Sequence, residues 1–197
     1  VSNGSDCAWV DYIVFPPAAE SVVVYAGPDI SICQNQTAQM NPIISGAISV
    51  LWTTSGDGTF NAPTAINPVY TPGTSDISNG SVTLTLTIDD GSGGVLSDNL
   101  LVVISNLPIV WAGEDASQCA DEAFVELSGV VLNTSNFFWA TSGDGTFGNI
   151  NQLVTSYYPG EMDVTTGYAE LSLTGISVAP CVDDITHSFT LTLWPLP

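Results

Sequence analysis

The side chains that could do chemistry in this chain are almost all carboxylates. The 197 residues include 20 Asp and Glu, a single histidine, and no Lys or Arg. Hydrolytic triads need a base such as histidine, and zinc sites prefer His and Cys ligands. The one histidine, His187, lies in the alternating run Thr186-His-Ser-Phe189, which predicts a solvent-facing strand position rather than a catalytic one. We therefore expect no enzymatic activity, although a carboxylate pair for glycoside cleavage stays open because distances are not visible in a sequence.

The chemistry that carboxylates favour is calcium binding, because Ca²⁺ takes about six to eight oxygen ligands. The hypothesis is a bound calcium ion, with acids near the start of each sequence repeat approaching acids on later loops. The alternative is that Asp29 and Asp115 cap turns and that the paired acids are solvated, since no dense Asp-x-Asp-x-Asp-Gly array is present. The candidate ligands are Asp29, Glu114, Asp115, Asp89 and Asp90, with Asp98, Asp183 and Asp184 on loops that could approach.

The missing bases decide which partners are excluded. The formal net charge is −20, and with no Lys or Arg no salt bridge to those side chains can balance it. Phosphate backbones and anionic lipid headgroups are bound through Lys and Arg. We therefore exclude nucleic acid and membrane surfaces as partners. No apolar run reaches the roughly 18 residues of a membrane span, and no basic segment precedes an apolar one as in a signal peptide. The chain is expected to be a fragment of a longer secreted polypeptide.

The positions of these acids repeat along the chain. The stretch Trp52-Thr-Thr-Ser-Gly-Asp-Gly-Thr-Phe60 returns as Trp139-Ala-Thr-Ser-Gly-Asp-Gly-Thr-Phe147. Other landmarks return in the same order, and the offset is 86 at Gly27 and Gly113 and 87 at the two tryptophans. Self-similarity at a fixed period indicates two copies of one small domain. The further pairs are Cys33 with Cys119, Tyr70 with Tyr157, Pro72-Gly73 with Pro159-Gly160, Asp76 with Asp163, and Gly80 with Gly167.

Strands are predicted throughout, and the fold class is all-β. The run Val82-Thr-Leu-Thr-Leu-Thr-Ile88 alternates strictly, as expected of a half-buried strand. Turn residues separate the predicted strands at the spacing of a β-sandwich, and no segment shows helical periodicity. The other predicted strands cover 21–25, 50–54, 68–70, 100–104, 124–127, 137–141, 154–158, 169–173 and 189–193.

The repeated landmarks have structural interpretations. Trp52 and Trp139 each stand in an apolar strand, where an immunoglobulin-like sandwich buries one large ring in its core. The Ser-Gly-Asp-Gly segment is predicted to be a hairpin connection whose glycines take positive φ. Pro72-Gly73 and Pro159-Gly160 are predicted turns.

Four cysteines suggest disulfides in an oxidising compartment. Cys119 lies near the start of the second copy and Cys181 near its last strands, so a Cys119–Cys181 bond is predicted within that copy. In the first copy the region that matches Cys181 reads Gly91-Ser-Gly-Gly94 and has no thiol. Cys33 is then either free or paired with Cys7, which could equally be a small buried residue.

These motifs resemble a known group of domains. The Ala-Gly-x-Asp opening with its following Cys, the long Trp motif, Tyr-x-Pro-Gly-x-x-Asp and the alternating Val-Thr-Leu strand are similar to PKD-like, immunoglobulin-like repeats. Such repeats belong to large secreted and cell-surface proteins of Bacteroidetes-type bacteria. The segment 5–17, Ser5-Asp-Cys-Ala-Trp-Val-Asp-Tyr-Ile-Val-Phe-Pro-Pro17, resembles the closing strand of a jelly-roll domain of cleaved-adhesin or lectin-like type. Residues 1–20 are accordingly assigned to a preceding domain and linker, 21–108 to the first repeat and 109–197 to the second.

The resemblance implies a non-catalytic extracellular stalk of a bacterial adhesin, exported by the type 9 secretion route. Its partners would be neighbouring domains of the same polypeptide, and surface glycans or other cell-surface proteins. The rival hypothesis is a carbohydrate-binding module, in which exposed aromatic rings stack on sugars. The rings available for that role are Trp9, Trp111, Trp194, Tyr25 and Tyr168.

Overall fold

The structure is a computed structural model that describes residues 21–195. Within that range the chain forms eighteen strands and two short helices, in an order that repeats once. The elements of the first half are β1 (Val23–Tyr25), β2 (Ile30–Cys33), β3 (Ala38–Gln39), β4 (Ile43–Ser45), β5 (Ser49–Thr54), β6 (Thr59–Phe60), β7 (Val69–Thr71), α1 (Thr74–Asn79), β8 (Ser81–Asp89) and β9 (Val95–Ser105). Those of the second half are β10 (Ile109–Trp111), β11 (Ala116–Cys119), β12 (Val125–Ser128), β13 (Val130–Leu132), β14 (Thr134–Thr141), β15 (Thr146–Phe147), β16 (Val154–Tyr158), α2 (Glu161–Thr166), β17 (Tyr168–Ser177) and β18 (Ile185–Trp194).

The first half is a two-layer sandwich. One layer is the four-stranded sheet β2-β9-β8-β5, and the other contains the sheet β3-β7-β6 with the short pair β1-β4. Neighbouring strands are antiparallel except β2 and β9, which run parallel with Cys33 opposite Ser105. The chain therefore changes layer between its first two strands. β1 pairs with β4 in one layer, and β2, after the bend at Gly27, pairs with β9 in the other. This arrangement is that of an immunoglobulin-like sandwich.

The second half has the same topology. Its sheets are β11-β18-β17-β14, β12-β16-β15 and β10-β13, and β11 pairs in parallel with β18 so that Cys119 lies opposite Trp194. Three residues, 106–108, connect β9 to β10. The predicted fold class is confirmed: the protein is all-β and consists of two tandem immunoglobulin-like β-sandwiches.

The core follows from the alternation seen in the sequence. Along β8 the residues alternate between half-exposed and buried, so that Val82, Leu84, Leu86 and Ile88 point inward. Trp52 and Trp139 are each 1% exposed and lie in the two separate cores. Each side chain of this kind contributes about 1.5–3 kcal/mol by leaving water.

The prediction that the chain has no helix is wrong at two equivalent places. Six-residue helices, Thr74–Asn79 and Glu161–Thr166, follow the Pro-Gly pairs that were predicted as simple turns. Each begins after an extended glycine and ends at a glycine in the left-handed region, Gly80 at φ 72° and Gly167 at φ 81°. Six residues make fewer than two helical turns, which is too short to show an apolar period. The sequence pattern therefore did not predict these helices.

Candidate functional site

The most buried acid of the first domain is Asp76, which is 1% exposed. Its Oδ2 accepts hydrogen bonds from the Tyr70 hydroxyl at 2.6 Å and from the amides of Gly58 and Gly73 at 3.0 Å each. Its Oδ1 accepts one from the Asp57 amide at 3.3 Å. Four donors surround one carboxylate, so its charge is satisfied without any cation.

Asp57 completes this arrangement from the opposite side. Its carboxylate accepts hydrogen bonds from the amides of Ser75, at 3.0 and 3.1 Å, and of Asp76, at 3.2 Å. These amides belong to the first turn of α1, which has no capping side chain of its own because Gly73 precedes it. An acid from a distant loop therefore caps the helix. We call the set Asp57, Tyr70, Gly73 and Asp76, with its counterpart Asp144, Tyr157, Gly160 and Asp163, the acid brace.

The second domain repeats the acid brace with nearly the same geometry. Tyr157 donates to Asp163 Oδ2 at 2.6 Å, and the amides of Gly145 and Gly160 donate at 3.2 and 3.0 Å. Asp144 accepts from the amides of Met162 and Asp163. Asp163 is 1% exposed, like its counterpart. Both domains keep a spacing of 19 residues between the two acids. This repeated spacing is the sequence signal that marks the pair, although it does not show that the two residues meet.

The glycines of Ser-Gly-Asp-Gly are needed because other side chains approach them closely, and not because they take positive φ. The prediction of positive φ is therefore wrong. Gly56 and Gly143 are absent from the residues with positive φ. A Cβ atom on either one would collide with the Asp76 or Asp163 carboxylate. The hairpin prediction is wrong as well, because β5 pairs with β8 while β6 pairs with β7. The segment crosses from one layer of the sandwich to the other, and the acid brace holds that crossing.

The acid brace shifts the pKa values of Tyr70, Tyr157 and Asp57. Burial, with the hydrogen bond to Asp76, raises the pKa of Tyr70 to about 12. Burial and Asp163 raise the pKa of Tyr157 to about 12 in the same way. Hydrogen bonds from the Ser75 amide lower the pKa of Asp57 below its ordinary value. Neutral Tyr70, neutral Tyr157 and ionised Asp57 are thus the forms that the fold stabilises.

The residues predicted to bind calcium are engaged separately. Asp29 Oδ1 accepts from the Leu101 amide at 2.8 Å, and Asp115 Oδ1 accepts from the Thr190 amide at 2.7 Å. Asp89 and Asp90 bind the amides of their own loop, at Gly91 and Ser92. Among residues 21–195, no three His, Cys, Asp or Glu side chains form a group that could hold a metal ion. Asp29, Asp115, Asp89 and Asp90 thus each accept hydrogen bonds from backbone amides. Calcium binding by these residues and Glu114 stays a prediction.

The same amide is held by different acceptors in the two domains. Asp98 Oδ2 accepts from the Ala26 amide at 2.8 Å, whereas His187 Nδ1 accepts from the Ala112 amide at 3.2 Å. His187 is half-buried and lies with its ring 6.4 Å from that of Trp111. The prediction of a solvent-facing histidine is therefore wrong in part, because the imidazole fastens the bend that follows β10.

The disulfide predictions are wrong. Cys181 is bonded to Cys33 of the first domain, with Cα atoms 4.8 Å apart, and not to Cys119. This bond also rules out a Cys7–Cys33 pair, and Cys7 itself lies outside the described residues. Cys119 is exposed and carries a free thiol in the part of the chain that the structure describes. Cys119 and Cys181 sit at opposite poles of their sandwich, since one ends β11 and the other lies in the β17–β18 loop, so no bond within the domain can form.

Polar contacts surround this bond at the junction. Asn35 Nδ2 donates to Asp183 Oδ2 at 3.4 Å, again from one domain to the other. Asn133 Nδ2 donates to the Leu107 carbonyl in the connection at 3.3 Å. The β17–β18 loop thus reaches back to the end of β2, and both domains contact the short linker.

The aromatic residues of the rival hypothesis are dispersed. Tyr25, Trp111, Tyr168 and Trp194 are exposed, and Trp9 lies outside the described residues. Tyr25 and Trp111 belong to the equivalent strands β1 and β10. Tyr168 pairs with Thr192 in the sheet, so it shares the outer face of that sheet with Trp194, two residues further on.

No protein family and no curated protein matches the sequence. Solved structures do match the fold. The insect immune protein hemolin is similar with a TM-score of 0.55 and 10% identity, covering 90% of this chain and 48% of that one. The EC3-6 fragment of protocadherin gammaB7 has a TM-score of 0.51 and 10% identity over 88% of this chain and 47% of that one. The chain thus spans about half the length of these structures.

At such identities the likeness shows the fold alone: a pair of immunoglobulin-like or cadherin-like sandwiches. A PKD domain matches one half of the chain with a TM-score of 0.37 and 16% identity, covering 93% of that domain, which is too low to decide between PKD and other immunoglobulin-like types. In the described residues, no helix is long and apolar enough to cross a membrane.

Proposed function

We propose that this chain is a non-catalytic spacer segment of a long extracellular protein, which holds binding domains away from a bacterial cell surface. The observation that carries the proposal is the junction. Two copies of one sandwich follow each other through the linker 106–108, and the Cys33–Cys181 bond joins their facing poles. A second covalent connection restricts how far one domain can turn against the other, as a spacer of defined length requires.

An extracellular setting is supported by the chemistry of the chain. Disulfides persist in oxidising environments and are rare in the cytosol. The chain has no Lys or Arg, so trypsin-like proteases find no cleavage site in it. The structure of hemolin is described in terms of homophilic adhesion, and that of protocadherin gammaB7 as a cis-dimer, so adhesive proteins use sandwiches of this kind in series. Bacteroidetes-type adhesins and the type 9 secretion route belong to this proposal through the resemblance of the repeats.

Small-angle scattering on the whole chain tests the spacer. We expect an elongated particle when the chain is oxidised. The double variant Cys33→Ser/Cys181→Ser should keep both sandwiches folded but give a broader distribution of pair distances, because only the linker then joins them. Cys119→Ser, which removes an exposed free thiol, is a matched control that should change nothing. A particle in which the sandwiches lie side by side would exclude a spacer.

A carbohydrate-binding role has one observation in its favour, the shared exposed face of Tyr168 and Trp194. Aromatic faces of this kind suit stacking on sugar rings. A glycan array with the wild type and with Tyr168→Ala/Trp194→Ala tests it. Binding that the double variant abolishes would support a binding module in place of a spacer.

A further inference from the structure

We propose that Cys119 is the site of a second disulfide, formed with a third sandwich that follows the second domain in the same polypeptide. The partner thiol would stand in the third domain where Cys181 stands in the second. The inference rests on the proposed spacer function, because it requires that the repeat continues beyond these two copies.

The argument begins with the equivalence of Cys119 and Cys33. Each cysteine ends the strand that pairs in parallel with the last strand of its sandwich, opposite Ser105 in the first domain and Trp194 in the second. The residue after each cysteine donates its amide to that opposite carbonyl at 2.9 Å, from Gln34 in one case and from Ala120 in the other.

The following turn is also repeated. The Gln36 amide donates to the Cys33 carbonyl at 2.9 Å, and the Glu122 amide donates to the Cys119 carbonyl at 3.2 Å. Both cysteines therefore have the same backbone surroundings at the same pole, where the chain leaves the domain. What differs is their exposure: Cys33 is 1% exposed under its disulfide partner, while Cys119 is exposed and unpaired in the described residues.

The connection after each domain gives a second, independent observation. The residues after β9 are Asn106-Leu107-Pro108, and those after β18 are Pro195-Leu196-Pro197. The Leu-Pro pair recurs at the same distance from the last strand. In the first junction this short connection brings the β17–β18 loop of the next domain onto Cys33, and the disulfide sulfur of Cys181 lies 3.3 Å from the Ser105 carbonyl oxygen. A third domain on the same connection would bring its own loop onto Cys119.

The first domain explains why the cross-link needs a specific loop. Its β8–β9 loop, residues 90–94, is a short glycine-rich turn without cysteine, held by Asp90, which accepts from the amides of Ser92 and Gly94. The corresponding β17–β18 loop, residues 178–184, is longer and carries Cys181. A domain of the second type can therefore bond to its predecessor, and a domain of the first type cannot.

Bond formation is ordinary thiol–disulfide exchange. The Cys119 thiol and the partner thiol each lose a proton, and the two electrons released as the S–S bond forms pass to a low-molecular-weight disulfide such as oxidised glutathione, which is reduced to two thiols. No other group of the protein takes part.

The test adds one domain to the full chain. Residues 109–195 are repeated after Pro197 in a Cys7→Ser background. The added copy carries Ser in place of its own Cys119 and Ala in place of its own exposed Val182, so that its Cys181 peptide differs in mass from that of the second domain. The protein is refolded with oxidised and reduced glutathione. Because the chain has no Lys or Arg, digestion uses proteases that cleave at Asp and Glu, followed by mass spectrometry. We expect a peptide that links Cys119 to the added copy of Cys181, next to the Cys33–Cys181 peptide. A folded three-domain protein in which Cys119 stays free, or pairs between two chains, would overturn the proposal.

A second measurement does not depend on oxidation. In the three-domain protein with Ser in place of the added Cys181, the added loop should still cover Cys119. Its alkylation by iodoacetamide should then be at least about tenfold slower than in the two-domain chain, since burial limits thiol access. Equal alkylation rates in the two proteins would contradict the proposal, whether or not the linked peptide forms. Scattering on the two-domain chain does not depend on either result. A failure of the Cys119 proposal can therefore be distinguished from a failure of the spacer proposal.

Discussion

Asp57 and Asp76 each accept a hydrogen bond from the backbone amide of the other, at 3.2 and 3.3 Å. Two like charges are thereby held close together in a chain that has no Lys or Arg to separate them. The stabilising groups are amides and one tyrosine hydroxyl, which act as fixed dipoles around each carboxylate. In the second domain, Asp144 likewise accepts a hydrogen bond from the Asp163 amide.

Replacement of the buried acid should destabilise its domain. In Asp76→Asn, one of the two carboxylate oxygens becomes an NH₂ group that cannot accept from the surrounding donors. Unsatisfied buried groups cost about 1–3 kcal/mol each, so we expect a loss of at least about 3 kcal/mol in the free energy of unfolding of the first domain. Denaturant unfolding followed by tryptophan fluorescence measures it. Asp121→Asn, at an exposed position, removes the same charge and should change stability by less than about 0.5 kcal/mol.

A glycine in the crossing segment should be equally sensitive. A Cβ on Gly143 would meet the Asp163 carboxylate, whereas one on Gly148 would have its nearest neighbour at 3.6 Å, an ordinary contact. We expect Gly143→Ala to cost about 2–4 kcal/mol and Gly148→Ala to cost less than about 1 kcal/mol. Thermal melts of both variants make the comparison within one domain. Equal melting temperatures would show that the crossing is not held as described.

Alkaline pH should unfold the protein through its tyrosines. The pKa of Tyr70 and that of Tyr157 rise from 10.0 to about 12 on folding. A raised pKa contributes stability that is fully present below pH 10 and is lost as pH rises through about 12, on the order of 2–3 kcal/mol for each tyrosine. Stability measured from pH 8 to 12 should fall over that window. The Tyr70→Phe/Tyr157→Phe variant should be less stable at pH 8 and show a weaker fall; an identical fall would assign it to other groups.

Acid should act through Asp57. Its pKa is lowered on folding from the ordinary value of 3.8, so its contribution to stability is present above that pH and is lost as pH falls through the lower folded value. Asp57→Asn should remove part of the stability loss below pH 4. The measurement is a denaturant midpoint at pH 2 to 6, and an unchanged acid profile would contradict the role of Asp57 as a cap of α1.

Calcium can be tested with the acids first expected to bind it. Since Asp29 accepts from the Leu101 amide, Asp29→Asn should cost about 1 kcal/mol, equally with chelator and with millimolar Ca²⁺. Asn99→Ser, at an exposed position on the neighbouring strand, is a control that should be close to neutral. A wild-type melting temperature that rises with Ca²⁺ and does not do so in Asp29→Asn would establish a site there.

Most of the architecture could be predicted because the long strands carry their own signal. The alternation at Val82–Ile88 depends only on which face meets the core, and it lies within β8 as the structure has it. Short strands such as β3, β6 and β15, of two residues each, have no period to detect. They exist because partners already in place offer free hydrogen-bonding groups.

The candidate site was predicted less well, for a physical reason. Landmark spacing indicates which residues matter but not which residues meet, since a contact such as that of Asp57 with Asp76 joins two loops through the fold. The same limit applied to Cys181. Its position suggested a partner within its own domain, and only the geometry of the junction shows that Cys33 is nearer.

The Cys33–Cys181 bond also fixes how far the protein can be stretched. It closes a ring of chain with a sequence separation of 148 residues, which contains most of both sandwiches. A pull on the two ends passes directly through the sulfur bridge, so within the described residues only the segments 21–33 and 181–195 can be drawn out, a length of roughly 90–100 Å at 3.3–3.6 Å per residue. Reduction would release about 500 Å more. With the disulfide intact, the protein would therefore lengthen little under load, even with every strand inside the ring unfolded.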